Sequence, residues 1–157
     1  MSVRLLITAG ILLGICSSPA VAQPSSSGGD ARTIESYKRA ISGAKDKKEA
    51  ALLRKKLGAY YACGEDNTRA AAEFIEALSL APAAFTEQER LQMAIVISRA
   101  DRLADATAVL RAILSKNPNN IAARVYLARV LSWSDKLQEA EAEADRVLRS
   151  QPDNQEA

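Results

Sequence analysis

The stretch LGAYYACGEDNTRAAAEFIEALSLAP, residues 57–82, decides the fold of this chain. Small and apolar side chains recur in it at helical spacing, first over residues 57–63 and again over residues 70–78, with a Gly-Glu-Asp-Asn turn between the two runs. Proline ends the stretch, and proline lacks the N–H group that a continuing helix requires. The stretch therefore predicts two short helices joined by a tight turn.

The same pattern returns twice, at residues 93–118 and 127–152. Each copy opens on small or apolar residues, places an alanine at the start of its second helical run, and closes on a proline. Pro118 and Pro152 lie 34 residues apart. A repeat of this length predicts a helical solenoid, because one hairpin cannot bury its apolar face alone and must stack on its neighbours.

The turns carry further predictions about local structure. In the first turn, residues 63–67, Gly64 is expected to tolerate positive φ, and the Asp-Asn pair after it can cap the next helix. The turns at residues 100–102 and 134–136 contain no glycine and are expected to be slightly more strained. The Thr-Glu-Gln-Glu sequence at residues 86–89 matches a capping box and predicts that a helix begins there.

These residues resemble the tetratricopeptide repeat pattern of Leu-Gly, Tyr, Ala, Phe, Ala-Leu and Pro, most completely in the first copy. Two positions depart from the family. An arginine stands where an aromatic residue is usual early in the first helix, and alanine replaces the glycine in the second and third copies. The residues concerned are Arg54, Arg90, Arg124, Ala94 and Ala128. The resemblance implies an all-α, right-handed solenoid of about three helical hairpins, over residues 51–84, 87–120 and 121–154.

The first 22 residues are predicted to be a signal peptide. Arg4 precedes an apolar run at residues 5–15, and residues 20–22 are the small Ala-Val-Ala that a signal peptidase requires. Cleavage there would leave Gln23 as the first residue. The apolar run is shorter than the roughly 20 residues that span a bilayer, which argues against a membrane anchor.

Export is therefore expected, with the periplasm as the compartment and secretion as an alternative. Lipidation of Cys16 is a further alternative, because Leu13 lies three residues before that cysteine. Ile15 argues against it, since Gly, Ala or Ser usually precedes a lipidated cysteine.

Two segments separate the signal peptide from the repeats. Residues 23–30 are rich in Ser and Gly and are predicted to be a flexible linker. Residues 31–50 are predicted to hold an additional N-terminal helix, which starts near Asp30 and covers the open end of the solenoid. Ile34, Tyr37 and Ile41 have the helical spacing that such a contact needs.

Charge and cysteine content narrow the function classes. The chain has 21 Lys and Arg against 19 Asp and Glu, and loss of Arg4 leaves a net charge of about +1. Such a balance does not suggest nucleic acid or an acidic membrane as partner, and favours a protein or peptide. Cleavage would also remove Cys16, so Cys63 is expected to be the sole cysteine of the mature chain, without an internal disulfide. An intermolecular bridge is the alternative for Cys63.

Catalysis is not predicted. The chain contains no histidine, which is the commonest general base and a common metal ligand, and no Gly-rich phosphate loop. No cofactor and no metal site are expected, and an enzyme remains the remote alternative. An adaptor that binds a protein segment in the concave groove is the leading hypothesis.

The resemblance implies that the first helix of each hairpin lines the concave surface. The residues at matching positions are Lys55, Gln88, Leu91, Ile95, Arg99, Val125, Arg129 and Trp133. Apolar centres flanked by Lys or Arg would suit a segment with hydrophobic and acidic residues. Packing between helices is the competing interpretation of Leu91, Ile95 and Val125. The clamp that some family members use for a terminal carboxylate is not supported, because Ala59 stands where Asn is expected.

Two further hypotheses concern assembly. The chain could be a structural spacer without a groove, or a second copy could dock on the C-terminal end, where the last helix is predicted over residues 137–150. The sequence LSWSDKL at residues 131–137 is similar to repeats on the periplasmic side of outer-membrane and exopolysaccharide-export proteins. It suggests a cell-envelope or exopolysaccharide-export assembly as context.

Overall fold

The computed structural model describes the backbone of residues 27–154 and the side chains of residues 31–154. Within this part the chain forms seven α-helices and one short 3₁₀ helix, with no strand. The helices are α1 (Ser27–Ser42), α2 (Lys47–Cys63), α3 (Asn67–Leu80), α4 (Glu87–Arg99), α5 (Leu103–Lys116), α6 (Ile121–Trp133) and α7 (Leu137–Ser150), and the 3₁₀ turn is Pro82–Ala84. The prediction of an all-α array of three hairpins preceded by an additional helix is confirmed.

The predicted boundaries shift at the N-terminal side. The signal peptide predicted at residues 1–22, with its alternative of lipidation at Cys16, lies outside the described residues. Helix α1 begins at Ser27, so the end of the predicted linker, residues 27–30, is helical. The first hairpin begins at Lys47 rather than at residue 51, because Asp46 caps α2 by accepting a hydrogen bond from the Glu49 N–H at 2.7 Å.

The helices pack mainly against their neighbours along the chain, from α1 on α2 through to α6 on α7. Apolar residues of both helices of each hairpin form one continuous core. Ile34, Tyr37 and Ile41 of α1 pack partly buried against that core, as their spacing predicts. Since neighbouring hairpins bury each other, the array has the construction of a solenoid.

Side-chain size is matched across each hairpin where its two helices approach. A Cβ added to Gly58 would lie 2.6 Å from Cε1 of Phe74, whose ring is buried against that backbone. In the later hairpins alanine replaces the glycine, and the residue at the Phe74 position is smaller, Leu110 and then Ala144. The departures from the repeat pattern therefore compensate each other in volume.

The three hairpin turns share one geometry, which differs from the prediction. Gly64 has φ −85°, and positive φ falls on the following residue, Glu65 at 61°. Asp101 at 62° and Asp135 at 58° occupy the same place in the later turns. The later turns are thus no more strained than the first.

Each turn closes its first helix with a pair of backbone hydrogen bonds. In the first hairpin the Glu65 N–H bonds the Ala62 carbonyl at 3.1 Å, and the Asp66 N–H bonds the Tyr61 carbonyl at 3.0 Å. This is the Schellman arrangement, and the matching pairs of bonds recur after α4 and α6. This arrangement requires positive φ at the second residue after the helix, which is Glu65, Asp101 or Asp135, whether or not a glycine stands nearby.

Cys63, the last residue of α2, is disulfide-bonded in the structure, contrary to the expectation of an unbridged thiol. The described residues contain no second cysteine. The expectation assumed that Cys16 is removed with the signal peptide, a segment that lies outside the described residues.

None of the helices between residues 27 and 154 is both long enough and apolar enough to cross a membrane.

Candidate functional site

In the repeat pattern the first helices of the hairpins line the inner surface, and here these helices are α2, α4 and α6. Direct contacts join α4 to α6, so these two helices present a shared surface. The last residue of α4 is Arg99 and the last residue of α6 is Trp133, at equivalent places in the two hairpins. Both side chains are exposed, and Trp133 retains 57% of its accessible surface.

The three apolar residues predicted for this surface do not reach it. Leu91, Ile95 and Val125 are 3%, 5% and 3% exposed. Their burial supports the competing interpretation, packing between helices, and leaves them out of reach of a ligand. Because adjacent hairpins interlock, the stripe that faces the groove in the repeat pattern is filled here by the neighbouring helix.

The charged and polar residues predicted for the site have different surroundings. Lys55 forms an ion pair with Glu89 at 2.5 Å, which joins α2 to α4. Its ammonium group is therefore already paired within the protein. Gln88 is exposed in the first turn of α4, far along the helix from Arg99. The candidate site is therefore limited to the residues at the turn ends of the inner helices.

Helix α6 contributes a stripe that ends at Trp133. The guanidinium of Arg129 lies over the ring of Tyr126 at 5.4 Å from its centroid, and Trp133 follows one turn later on the same side. Tyr126 is partly buried against the core, and its ring supports Arg129. Tyr126 is not among the residues predicted from the sequence, although its i, i+3 spacing from Arg129 is a usable signal.

An open depression of about 620 Å³ adjoins Arg99. It lies between the first two hairpin turns and is lined by residues 64–68 and 99–101. Among the described residues no cation pairs with the carboxylates of Glu65 or Asp101 in this lining. The surroundings of Arg99 are therefore acidic, which the sequence pattern did not indicate.

Two carboxyl groups at helix starts, Asp66 before α3 and Glu89 in the first turn of α4, are held in the ionised form. The pKa of Asp66 lies below its ordinary value of 3.8, chiefly because the backbone N–H of Arg69 donates to it, with the Arg69 side chain adding a second bond. The pKa of Glu89 lies below 4.5, chiefly because Lys55 donates to it. Both remain negative at neutral pH and fix the position of the helix starts that they cap.

An arginine stands at the equivalent place on each inner helix, near the middle of α2 and in the first turns of α4 and α6. Arg54 pairs with Glu73 at 2.8 Å, and Arg124 pairs with Glu143 at 2.6 Å. Each of these pairs joins the two helices of one hairpin across 19 residues of sequence. Arg90 is the equivalent residue of the second hairpin, and the position 19 residues later is a valine.

In the described part of the chain no cluster of three Cys, Asp or Glu residues has an arrangement that could hold a metal ion.

Comparison with curated proteins and with solved structures found no match. A family model described as Tetratricopeptide repeat matches residues 99–157, which run from the end of α4 through α7. The matched range excludes the first hairpin, where the motif residues are most complete. Together with the hairpin array, this match supports the resemblance of the chain to the tetratricopeptide repeat family.

Proposed function

We propose that this chain is an exported helical-repeat adaptor, which binds a protein segment at the turn ends of its inner helices. The observation that carries the proposal is the pair of exposed side chains at the turn ends of α4 and α6, Arg99 and Trp133, with the half-buried Arg129 one turn before Trp133. A tryptophan that keeps more than half of its surface in water gains much from a partner that covers it. The repeat match also favours a protein-interaction scaffold.

The surroundings of these side chains suggest the chemistry of the bound segment. Trp133 would accept an apolar side chain, and the carboxylates of Glu65 and Asp101 beside Arg99 would attract a basic one. This differs from the hydrophobic and acidic segment expected from the sequence, because Lys55 is already paired with Glu89. The segment we propose therefore places a basic residue near the depression and an apolar residue near Trp133.

The exported location rests on the sequence of residues 1–22. An apolar run after Arg4 and a small-residue site at residues 20–22 support cleavage by a signal peptidase. Mass spectrometry of the protein from its native host should find Gln23 as the N-terminal residue. A diacylated Cys16 would establish the lipoprotein alternative. A cell-envelope or exopolysaccharide-export assembly is the context that the LSWSDKL sequence favours.

Crosslinking from the native compartment tests the binding proposal, with the mature protein as bait. Trp133→Ala combined with Asp101→Asn, which removes the apolar contact and one of the carboxylates that attract the basic residue, should weaken capture of the specific partner at least about tenfold, which corresponds to roughly 1.4 kcal/mol. The matched control is Lys116→Ala with Glu35→Gln, which removes one long exposed side chain and one exposed carboxylate away from this surface and from α7. Equal capture by the two double variants would rule out the turn ends of α4 and α6 as the binding surface.

A second candidate is self-association through α7, favoured by its apolar residues. Leu137 and Leu148 are 63% and 38% exposed, whereas the equivalent Leu103 and Leu114 of α5 are partly buried against the core next to α6. A helix of a second copy could cover the two leucines in the same way. Light scattering of the purified protein should then show a dimer or larger species that Leu148→Glu dissociates; a monomer at all concentrations would exclude this candidate.

A further inference from the structure

Within the described residues, the arginines of the first and third hairpins have a carboxylate partner, whereas the equivalent arginine of the second hairpin does not. In the first and third hairpins a glutamate of the second helix pairs with the arginine of the first helix. In the second hairpin the place of that glutamate is taken by Val109, which packs partly buried against the core. Arg90 therefore has an apolar neighbour where Arg54 and Arg124 have a carboxylate.

Arg90 has fewer hydrogen-bond acceptors among the described residues than Arg54 and Arg124 have. Among residues 31–154 no carboxylate lies within ion-pair distance of Arg90, and its half-buried side chain has a fully covered Nε without an acceptor. Arg54 also has a covered Nε without an acceptor, but its Nη1 bonds Glu73. The covered Nε cannot be reached from outside, so an incoming acceptor would bond the Nη groups of Arg90, for which the described residues supply no hydrogen-bond acceptor.

We propose that Arg90 is a binding position for the side-chain carboxylate of an Asp or Glu residue on a bound protein. A guanidinium matches a carboxylate in shape and can bond it through two parallel N–H groups. The first and third hairpins show that a carboxylate fits beside this arginine.

This position is separate from the pair Arg99 and Trp133. Arg90 lies in the first turn of α4 and Arg99 at its last residue, so they are about 13 Å apart along the helix axis. The inference rests on the proposed function only in assigning the carboxylate to a protein partner. A peptide titration tests Arg90 without that partner. A negative titration would overturn Arg90 alone, and equal capture in the crosslinking experiment would overturn the proposed function alone.

The experiment is a titration of the full 157-residue chain, followed through the arginine Nε–H resonances by nuclear magnetic resonance. The probe is the capped peptide Ac-Ala-Ala-Glu-Ala-Ala-NH₂. The glutamine peptide Ac-Ala-Ala-Gln-Ala-Ala-NH₂ is one control, and the same glutamine peptide with a free terminal carboxylate is the other. We expect a saturable shift of the Arg90 resonance with the glutamate peptide, at least about threefold larger than for Arg54 and Arg124, whose guanidinium groups are already paired.

Two variants make the result specific to the missing glutamate. Val109→Glu supplies the carboxylate internally and should abolish the shift at Arg90 while the circular dichroism remains helical. Glu73→Val reproduces the Arg–Val arrangement in the first hairpin and should give Arg54 a response that it lacks in the original chain. This second variant keeps the proposal testable if Val109→Glu does not fold.

Three results would overturn the proposal. The first is an Arg90 shift no larger than that of the exposed Arg149. The second is an equal response to the capped glutamine peptide. The third is a response to the free terminal carboxylate that exceeds the response to the glutamate side chain, which would assign Arg90 to a chain terminus.

Discussion

Gly58 and Phe74 set the distance between the two helices of the first hairpin. Phe74 is 3% exposed, so its ring has no room to move when a methyl group is added opposite. The glycine is therefore required for close approach and not for its backbone freedom, since it lies within α2.

Gly58→Ala should lower the free energy of unfolding by about 2 kcal/mol, because the new Cβ would overlap the ring of Phe74. Urea denaturation measures the change. Combining it with Phe74→Leu, the residue found at that place in the second hairpin, should reduce the cost of the alanine. An equal cost in both backgrounds would show that the two residues do not interact.

Glu65 is the residue at which the first turn stores backbone strain. Its φ of 61° is unfavourable for a residue with a long side chain, whereas Gly64 adopts an angle open to any residue. The second turn supports this assignment, because Ala100 occupies the place of Gly64 without a glycine.

Glu65→Gly should therefore raise the free energy of unfolding by about 1 kcal/mol, through relief of the left-handed strain. Gly64→Ala, the matched control, should change it by less than about 0.5 kcal/mol. Thermal unfolding followed by circular dichroism compares the two variants. A large loss with Gly64→Ala and no gain with Glu65→Gly would restore the prediction made from the sequence.

At the scale of the elements, Glu89 joins the start of α4 to α2. Its carboxylate accepts the backbone N–H of Thr86 at 2.8 Å, while the Thr86 hydroxyl accepts the Glu89 N–H, so the predicted capping box is confirmed. The same carboxylate binds Lys55 of α2. One side chain thus fixes both the first turn of α4 and its contact with the preceding hairpin.

This arrangement predicts a loss of stability in acid. The pKa values of Glu89 and Asp66 are lower in the folded chain than in the unfolded chain, so both stabilise the fold above the unfolded values. That stabilisation is lost as the pH falls from about 5 through the folded pKa values, where the folded state must take up protons. Urea midpoints measured between pH 7 and pH 3 test the trend.

Glu89→Gln should flatten this pH dependence, because the amide cannot titrate. The control is Glu141→Gln on the exposed side of α7. If both variants retain the full slope of the original chain, Glu89 does not contribute to the acid sensitivity.

At the scale of the whole molecule, contacts between neighbouring helices dominate. In such an array, stability is approximately the sum of the hairpins and the interfaces between them, so damage at one end should stay local. Ile97 and Val147 are both 0% exposed, but Ile97 lies in the central hairpin and Val147 in the last helix.

Val147→Ala should lower hydrogen-exchange protection in α6 and α7 while α2 and α3 keep theirs. Ile97→Ala should instead reduce protection throughout the array and cost about 3 kcal/mol of unfolding free energy. Hydrogen exchange with residue resolution distinguishes local from global opening. Uniform loss of protection in both variants would show that the chain unfolds as one cooperative unit.

The repeat spacing of the sequence by itself determined the helical hairpins of this protein. The recurring small residues and prolines predicted the hairpins, and the residues predicted for the last helix, 137–150, are those of α7. These features follow from local rules, namely helical spacing, capping chemistry and the inability of proline to continue a helix. They can be read from a single sequence because each depends on residues only a few positions apart.

Tertiary packing decided the rest. Leu91, Ile95 and Val125 have the spacing of a groove but lie buried, since which side of an inner helix meets its neighbour depends on how the hairpins stack. The acidic surroundings of Arg99, and the lack of a carboxylate beside Arg90 among the described residues, likewise depend on residues that are distant in sequence. Spacing along the chain identifies the helices, whereas the side chains left open to a partner are known only once the helices are packed together.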